Sequence, residues 1–447
     1  MQEKKQTICF ISNYYKTYLF IEIAKQLIKN NVNVVWITVD KKYQTLLSEE
    51  FGKDKVLHIS LLDSDPIDCF VDKYKLLELY YSDRVIREKG QKGLNYLKNI
   101  SIKIYQFLKL NEVSRVFGEI TWAHELIAQR ICSHHKELNC IFLNPHTIRK
   151  PFDRFAFFSD ESQSVFFGTS SEPVLNVEKE VGVKPAYLEK NNLLNKDKNS
   201  IRGIVRRTLR FLMNKDHSDF NDPTRYTKSR TTQIRISEMI NRQKYKMVKR
   251  VDFESFCNNK YVYYGFHKQP ESSIDVIGRY YEDQYKVIQA IRLFLPANYT
   301  LVLKEHTNAI GDRTLEFYKR CLSLENVVLC DEHCDSEKII ESSQGVFTIS
   351  GTMGLEASYK GIPSFTFANC YFNGFGTCLK ICMEDFRSCA NYQELVDKIK
   401  NNRKIEEMLE LISNSSYPGI IGDYVHTDGV DSDENIHNLT KAFLSVI

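Results

Sequence analysis

Nothing in these 447 residues approaches the roughly 20 consecutive apolar positions that a bilayer-spanning helix needs. The start, Met1-Gln2-Glu3-Lys4-Lys5, leads straight into a short apolar run. It lacks the longer apolar stretch and small-residue cleavage site of a secretory signal, so a cytoplasmic location is expected. The 12 cysteines include no CxxC pair. Cys330…Cys334 and Cys378…Cys382 have a spacing that suits one helical face, but neither has a second pair of ligands. Free, mostly buried thiols and no structural zinc are expected. A strong net charge is missing too, at only +4. There is no low-complexity tract and no short repeat, which excludes a solenoid.

What is there is a globular composition, 43% hydrophobic and 26% charged, on a chain too long for one ordinary core. Two domains are expected. The charge is uneven: residues 201–250 hold 14 Lys/Arg against four Asp/Glu, a net of +10 that leaves about −6 elsewhere. The stretch 201–212 is amphipathic, with Ile201, Ile204, Val205, Leu209 and Leu212 on one face and Arg202, Arg206 and Arg210 on another. The block is either a solvated helical linker or a surface for peripheral contact with the inner face of the membrane. The basicity is confined to one block without a nucleic-acid motif, so no nucleic-acid partner is expected.

The chain reads as two βα series. Thr7–Ser12 and Val32–Thr38 are short, nearly continuous apolar runs, as in buried parallel strands, with helical spacing over Tyr18–Ile28 between them. Val113–Ile120 and Cys140–Leu143 are further strands, around a helix at Ala123–His134. Thr231–Val251 predicts one long helix. The second series opens at Lys260, with strands at 261–266, 299–304, 326–330, 345–350 and 363–367 and helices between them. Helices near 392–413 and 433–446 close the chain. The expected division is 1–250, an N-terminal α/β domain carrying the basic segment, and 251–447, a second α/β domain. Two tandem α/β domains suggest the GT-B outline, with two Rossmann-like doubly wound domains facing across a cleft.

Chemistry concentrates where strands end. Ser350-Gly351-Thr352-Met353-Gly354-Leu355-Glu356 follows the run GVFTIS and opens a helix. Gly351 and Gly354 permit a tight turn and close approach. Ser350 and Thr352 add hydroxyl donors, the helix start suits a phosphate, and Glu356 suits ribose hydroxyls. The same segment also reads as a plain strand-to-helix turn. Lys304-Glu305-His306 ends the strand YTLVLK, and His267 to Ser273 follows YVYYGF. Ligands of open parallel sheets bind at the carboxyl ends of strands, so three loops meet at one rim. There Lys304 is a phosphate partner and His306 a further donor.

HKQPESS, LKEH and SGTMGLEASYKGIP, in this order, resemble the donor domain of bacterial capsule and lipopolysaccharide Kdo transferases. The likeness covers residues 255–370 well and the N-terminal half more loosely. It departs at Thr307, where proline is usual. The resemblance implies a CMP-Kdo donor, a glycan or lipid-linked glycan acceptor, and transfer with retained β configuration by double displacement. It implies a donor site at Gln269, Glu271, Lys304, His306, Ser350, Gly351, Thr352, Gly354 and Glu356. Two N-terminal places match loosely: Gly118 to Glu125, and Asn144 to Arg149 continuing through Pro151 to Asp160. They imply Asp160 as nucleophile, Asp153 as its runner-up and Glu119 as acid/base. His146, Arg149 and Arg154 would hold the sugar carboxylate. Taken as residues alone, Glu119 reads equally as a helix-start charge and Asp160 as a loop acid. No metal or other cofactor is expected, because cationic groups can stabilise a departing monophosphate. The DxD triplets Asp63-Ser64-Asp65 and Asp431-Ser432-Asp433 lie outside these loops. Competing expectations are an inverting transferase using a CMP-sialic-type or nucleotide-diphosphate sugar, and a non-catalytic glycan-binding or assembly protein.

Overall fold

A computed structural model describes residues 5–67, 71–148, 154–170, 172, 203, 206, 221–424 and 427–447. They fall into two compact units. In the first, β1 (Thr7–Ile11), β2 (Asn33–Thr38), β3 (Val56–His58), β4 (Val113–Phe117) and the start of β5 (Ile141–Ile148) form a parallel sheet in the order 3-2-1-4-5. Every residue of β1 is buried, because neighbouring strands and helices cover both faces of the central strand. Helix α1 (Lys16–Lys29) buries Leu19, Phe20, Ile23, Ala24 and Leu27, the stripe its spacing predicts. Helix α2 (Ala123–His134) follows β4.

Two strand ends differ from expectation. β4 stops at Phe117, leaving Gly118, Glu119 and Ile120 as a loop. β5 runs past Leu143 through Pro145 to Ile148, where it leaves β4 and pairs antiparallel with β6 (Arg154–Phe158). β6 in turn pairs with β7 (Phe166–Phe167).

The second unit includes α3 (Lys228–Tyr245), ahead of its first strand. Its strands are β8 (Tyr261–Gly265), β9 (Thr300–Lys304), β10 (Val327–Cys330), β11 (Val346–Thr348), β12 (Ser364–Thr366) and β13 (Cys378–Lys380). All pair parallel, in the order 10-9-8-11-12-13. Relabelled from β8, this is the doubly wound order 3-2-1-4-5-6. Helix α4 (Gln284–Phe294) links β8 to β9, and α5 (Met353–Tyr359) links β11 to β12. The expected helix over 392–413 is broken, into Tyr392–Asp397 and Ile405–Ser415. The doubly wound expectation thus holds for both units.

The chain division differs from a cut at residue 250. Residues 410–447 return to the first unit, as do 218–226. β14 (Tyr417–Pro418) pairs antiparallel with β6. Helix α6 (Asp433–Val446) inserts Phe443 among Phe10, Phe117 and Phe157, with ring centroids 5.8, 4.7 and 5.0 Å away. Its spacing announces an amphipathic helix but carries no information about which core it enters. The expected amphipathic stretch 201–212 lies almost wholly outside the described residues. Neither Cys330 and Cys334 nor Cys378 and Cys382 share a helix; Cys330 ends β10 and Cys378 begins β13.

Candidate functional site

Each doubly wound sheet has one switch point, where the connections leave in opposite directions and a crevice opens at the carboxyl edge. In the first unit it lies between β1 and β4, in the second between β8 and β11.

At β1/β4, Ser12-Asn13-Tyr14-Tyr15 joins β1 to α1, and Gly118 to Trp122 joins β4 to α2. Asn13 Nδ2 donates to Glu119 Oε2 at 2.7 Å and to Glu125 Oε1 at 3.4 Å. Lys16, the first residue of α1, forms an ion pair with Glu119. Glu125 is fully buried, and its Oε2 accepts from the N–H groups of Thr121 (2.9 Å) and Trp122 (3.0 Å). The helix-start role that Glu119 could have filled therefore belongs to Glu125. Burial raises the Glu125 carboxyl to about 8, against the opposing pull of its backbone donors and of Lys16. Burial lowers the Lys16 ammonium to about 8, while Glu125 and Asp423 resist that shift. Two carboxylates, an ammonium and an amide thus meet at one strand edge.

Beside this group a strap crosses the rim. Tyr14 donates to Thr224 Oγ1 (3.0 Å), Arg225 pairs with Asp40 (2.5 Å) beyond β2, and Leu61 N–H donates to the Asn221 carbonyl (2.8 Å) beyond β3. The segment 221–226 therefore lies over the ends of β1, β2 and β3.

At β8/β11, the first residue past the end of β8 and Phe266 is His267. Its Nε2 lies 2.8 Å from Thr348 Oγ1 and accepts from Ile349 N–H at 3.0 Å. Thr348 Oγ1 accepts from Gly351 N–H at 3.0 Å. These bonds are all satisfied when the imidazole is neutral with its proton on Nδ1. Ser350 Oγ donates to the Ser273 carbonyl (2.9 Å), tying the 350 loop to the loop that carries Gln269 and Glu271. Gln284, the first residue of α4, holds the same loop: its Nε2 donates to the His267 carbonyl (3.1 Å) and to Gln269 Oε1 (3.2 Å). A Cβ on Gly351 would lie 2.6 Å from Thr348 Oγ1, so glycine is required for this contact. Gly354 serves another end: its Cβ position is 3.2 Å from Thr366 and 3.3 Å from Thr348, so it brings α5 close to the sheet.

Lys304 and Glu356 belong to a neighbouring group. Lys304 Nζ donates to Ser336 Oγ at 2.6 Å, toward the β10 side, and burial lowers its ammonium. The buried Tyr263 hydroxyl, pushed upward by burial, is bonded to Ser336 and feels the Glu356 charge. Glu305 turns the other way, into a buried pair with Arg313 (2.8 and 2.9 Å) and Tyr318 (2.6 Å). His306 Nδ1 accepts from Asn308 N–H (3.1 Å), which leaves Nε2 as its donor.

The remaining expected residues are not gathered with Glu119. Phe158 pairs with Asn144, just past the pairing of Leu143 with Phe117, and β6 runs opposite to β4. Asp160 therefore continues away from the edge where Glu119 lies. Its oxygens accept from Ser162 N–H (3.2 Å), Ser164 N–H (2.8 Å), Ser164 Oγ (2.7 Å) and Val165 N–H (2.8 Å). That is the pattern of a loop anchor. Arg154 clamps β14, donating to Ser416 Oγ (2.9 Å), the Ser416 carbonyl and the Glu172 carbonyl (2.7 Å). His146 Nδ1 lies 2.9 Å from the Thr147 carbonyl. Arg149 and Asp153 lie outside the described residues. The DxD triplets have structural partners: Asp63 accepts from Ser60 N–H, and Ser432 caps α6. Among the described residues, no group of three or more His, Cys, Asp or Glu is placed to hold a metal, and no helix is long and apolar enough to cross a membrane.

Asn13, Lys16, Glu125, His267 and Thr348 were missed as site residues. His267 stands in a loop already singled out, and Lys16 opens the helix after the first strand. Reading both βα series for their switch points would have found them.

No protein-family model matches the chain, and no curated protein matches it. Among solved structures, it is similar to the KpsC β-Kdo 2,7 transferase of Thermosulfurimonas dismutans, with 12% identity, TM-score 0.36, and 98% of this chain and 100% of that chain covered. It is similar to the KpsC β-Kdo 2,4 transferase of that organism, with 12% identity, TM-score 0.32, and coverage of 74% and 87%. It is also similar to the UDP-GlcNAc 2-epimerase of Methanocaldococcus jannaschii, with 11% identity, TM-score 0.28, and 99% coverage of each chain in complex with UDP-GlcNAc and UDP. Likenesses this distant assign no residue and no substrate.

Proposed function

We propose that this chain is a glycosyltransferase that moves Kdo, or a related 2-keto sugar acid, from a CMP-activated donor to a bacterial surface glycan. One observation carries the reading. The motif residues Gln269, Ser350 and Gly351 come together through His267, Thr348 and Ser273 at the switch point of a doubly wound sheet. The N–H groups of Ile349 and Gly351 and the hydroxyls of Thr348 and Ser350 hold these loops in place, and that edge, with Lys304 beside it, is where a doubly wound sheet receives a nucleotide phosphate. Glu119, held by Lys16 and Asn13, is the acid/base that takes the proton of the acceptor hydroxyl.

In the retaining form of the proposal, an Asp160 oxygen bonds to the anomeric carbon as the bond to CMP breaks, and CMP leaves with the electron pair. The acceptor oxygen then displaces Asp160 while Glu119 takes its proton. A second reading is favoured by the four hydrogen bonds that occupy Asp160: an inverting transfer with Glu119 as single base and no covalent sugar.

The test is incubation with CMP-Kdo generated in situ, following CMP release and intact mass. CMP release with a Kdo-sized adduct absent in Asp160→Ala supports the retaining form. Release without an adduct, with inverted product by NMR, supports the second. Absence of any thermal shift with both CMP-Kdo and CMP-sialic acid overturns the CMP-donor reading.

A further inference from the structure

Among the described residues, helix α3 carries a face with exposed apolar side chains. Its opposite side is clamped to the second unit. Asn241 Nδ2 donates to the Gly311 carbonyl (3.2 Å) and Tyr245 donates to Glu332 (3.1 Å). The Tyr245 ring packs 5.1 Å from that of Tyr318. Gly311 has no side chain to block the approach: a Cβ there would lie 2.7 Å from the Glu238 carbonyl. Tyr245 is the buried residue of the helix.

Away from that side stand Ile236, Ile240 and, in the turn that continues the helix, Met247. They are 47%, 44% and 76% exposed. At about 100° per residue these three project within about 40° of one another. Lys244 falls on one flank of the line, and Lys228, Arg235 and Lys246 on the other. Residues 227–250 hold eight Lys/Arg (Lys228, Arg230, Arg235, Arg242, Lys244, Lys246, Lys249 and Arg250) against Glu238 alone, a net of +7.

We infer that this face docks on an anionic lipid surface. An apolar line flanked by cations, one on one side and three on the other, places the apolar side chains at the acyl boundary and the cations among the headgroups. Self-association through this face would bring +7 against +7, which opposes it. A nucleic acid would use the cations but has no use for the isoleucines. The inference stands independently of the glycosyl-transfer reading.

The test is sedimentation of the whole chain with vesicles of phosphatidylcholine alone, and with vesicles of equal parts phosphatidylcholine and phosphatidylglycerol. Binding is expected only to the second and should weaken as salt is raised. Lys244→Gln with Lys246→Gln should weaken it about thirtyfold, from about 1 kcal/mol per cation. Ile236→Ser with Ile240→Ser should weaken it about tenfold, since roughly half of each side chain is already covered. All four positions are partly or fully exposed, so the thermal transition should stay in place, and its loss would mark a misfolded variant to be replaced by single substitutions. Equal binding to both vesicle types overturns the inference. So does anionic binding that the isoleucine variant leaves unchanged, which marks a general polyanion site. Dimerisation abolished by the isoleucine variant, without vesicle binding, assigns the face to a second copy instead.

Discussion

The two switch points are built on the same strand order yet hold opposite chemistries. At β1/β4 the groups are carboxylates with one lysine, buried enough that Glu125 and Lys16 both move to about 8. At β8/β11 the groups joined by hydrogen bonds are an imidazole, hydroxyls and backbone N–H donors, and the buried carboxylate Glu305 is paired with Arg313. Strand order decides where a site can form. The residues just past each strand end decide whether it handles protons or anions.

The largest test of this contrast is Glu119→Gln. Transfer should fall by about 10²–10⁴-fold, the range of a lost acid/base, while the thermal shift given by donor stays unchanged. A loss of donor binding would erase the division of labour.

Next comes Phe443→Ala. Emptying the space beside Phe10, Phe117 and Phe157 should destabilise the first unit by about 3–5 kcal/mol in denaturant titration. An unfolding curve that shifts as one transition, with the second unit lost together with the first, would show that the two units are not separately cooperative.

A smaller effect is expected for Gly351→Ala. Its methyl group would displace Thr348 Oγ1 and disturb His267, so donor affinity should fall about tenfold, by roughly 1.4 kcal/mol. Rates at saturating donor should change little. Unaltered affinity in a calorimetric titration would remove the 350 loop from the donor site.

The change that is smallest per step, though it accumulates across the range, is a slope in pH. Glu125 rises from its ordinary 4.5 to about 8, so between these values the folded chain binds more protons than the unfolded one. Its contribution is fully present below pH 4.5 and is lost as pH rises through about 8, by at most about 1.4 kcal/mol per pH unit. Lys16, lowered from 10.5 to about 8, adds the opposite slope above about 8. Glu125→Gln should therefore flatten the decline below pH 8 and, by removing a carboxylate that supports the Lys16 ammonium, start the rise at lower pH. His124, lowered by burial to about 3, opposes this slope below pH 6.5, so the measurement is the difference between wild type and variant: a difference flat from pH 5 to 8 would show that Glu125 is ionised throughout.

Much of the fold was legible because local pattern and final burial agree. β1 reads as a buried run, α1 shows its stripe, and α6 was bounded at its observed residues. Less of the site was legible. Ser350 and Gly351 were found through glycine and hydroxyl placement after a strand. His267 and Thr348 act through each other across two strands, and a pairing of residues 81 positions apart leaves no local signal. Asp160 shows the converse: a sequence match proposed a nucleophile, while the fold engages its oxygens with its own loop.

By itself the sequence determined the two βα series, the loops at their strand ends and the basic stretch that becomes α3. Those follow from side-chain periodicity and from glycine and proline placement, which act over a few residues. Only the tertiary structure decided that α6 closes the first core and that Glu125 rather than Glu119 starts α2. It also decided which side of α3 packs on the rest of the second unit. Burial and long-range pairing set these outcomes, because desolvation and contact energy depend on neighbours distant in the chain.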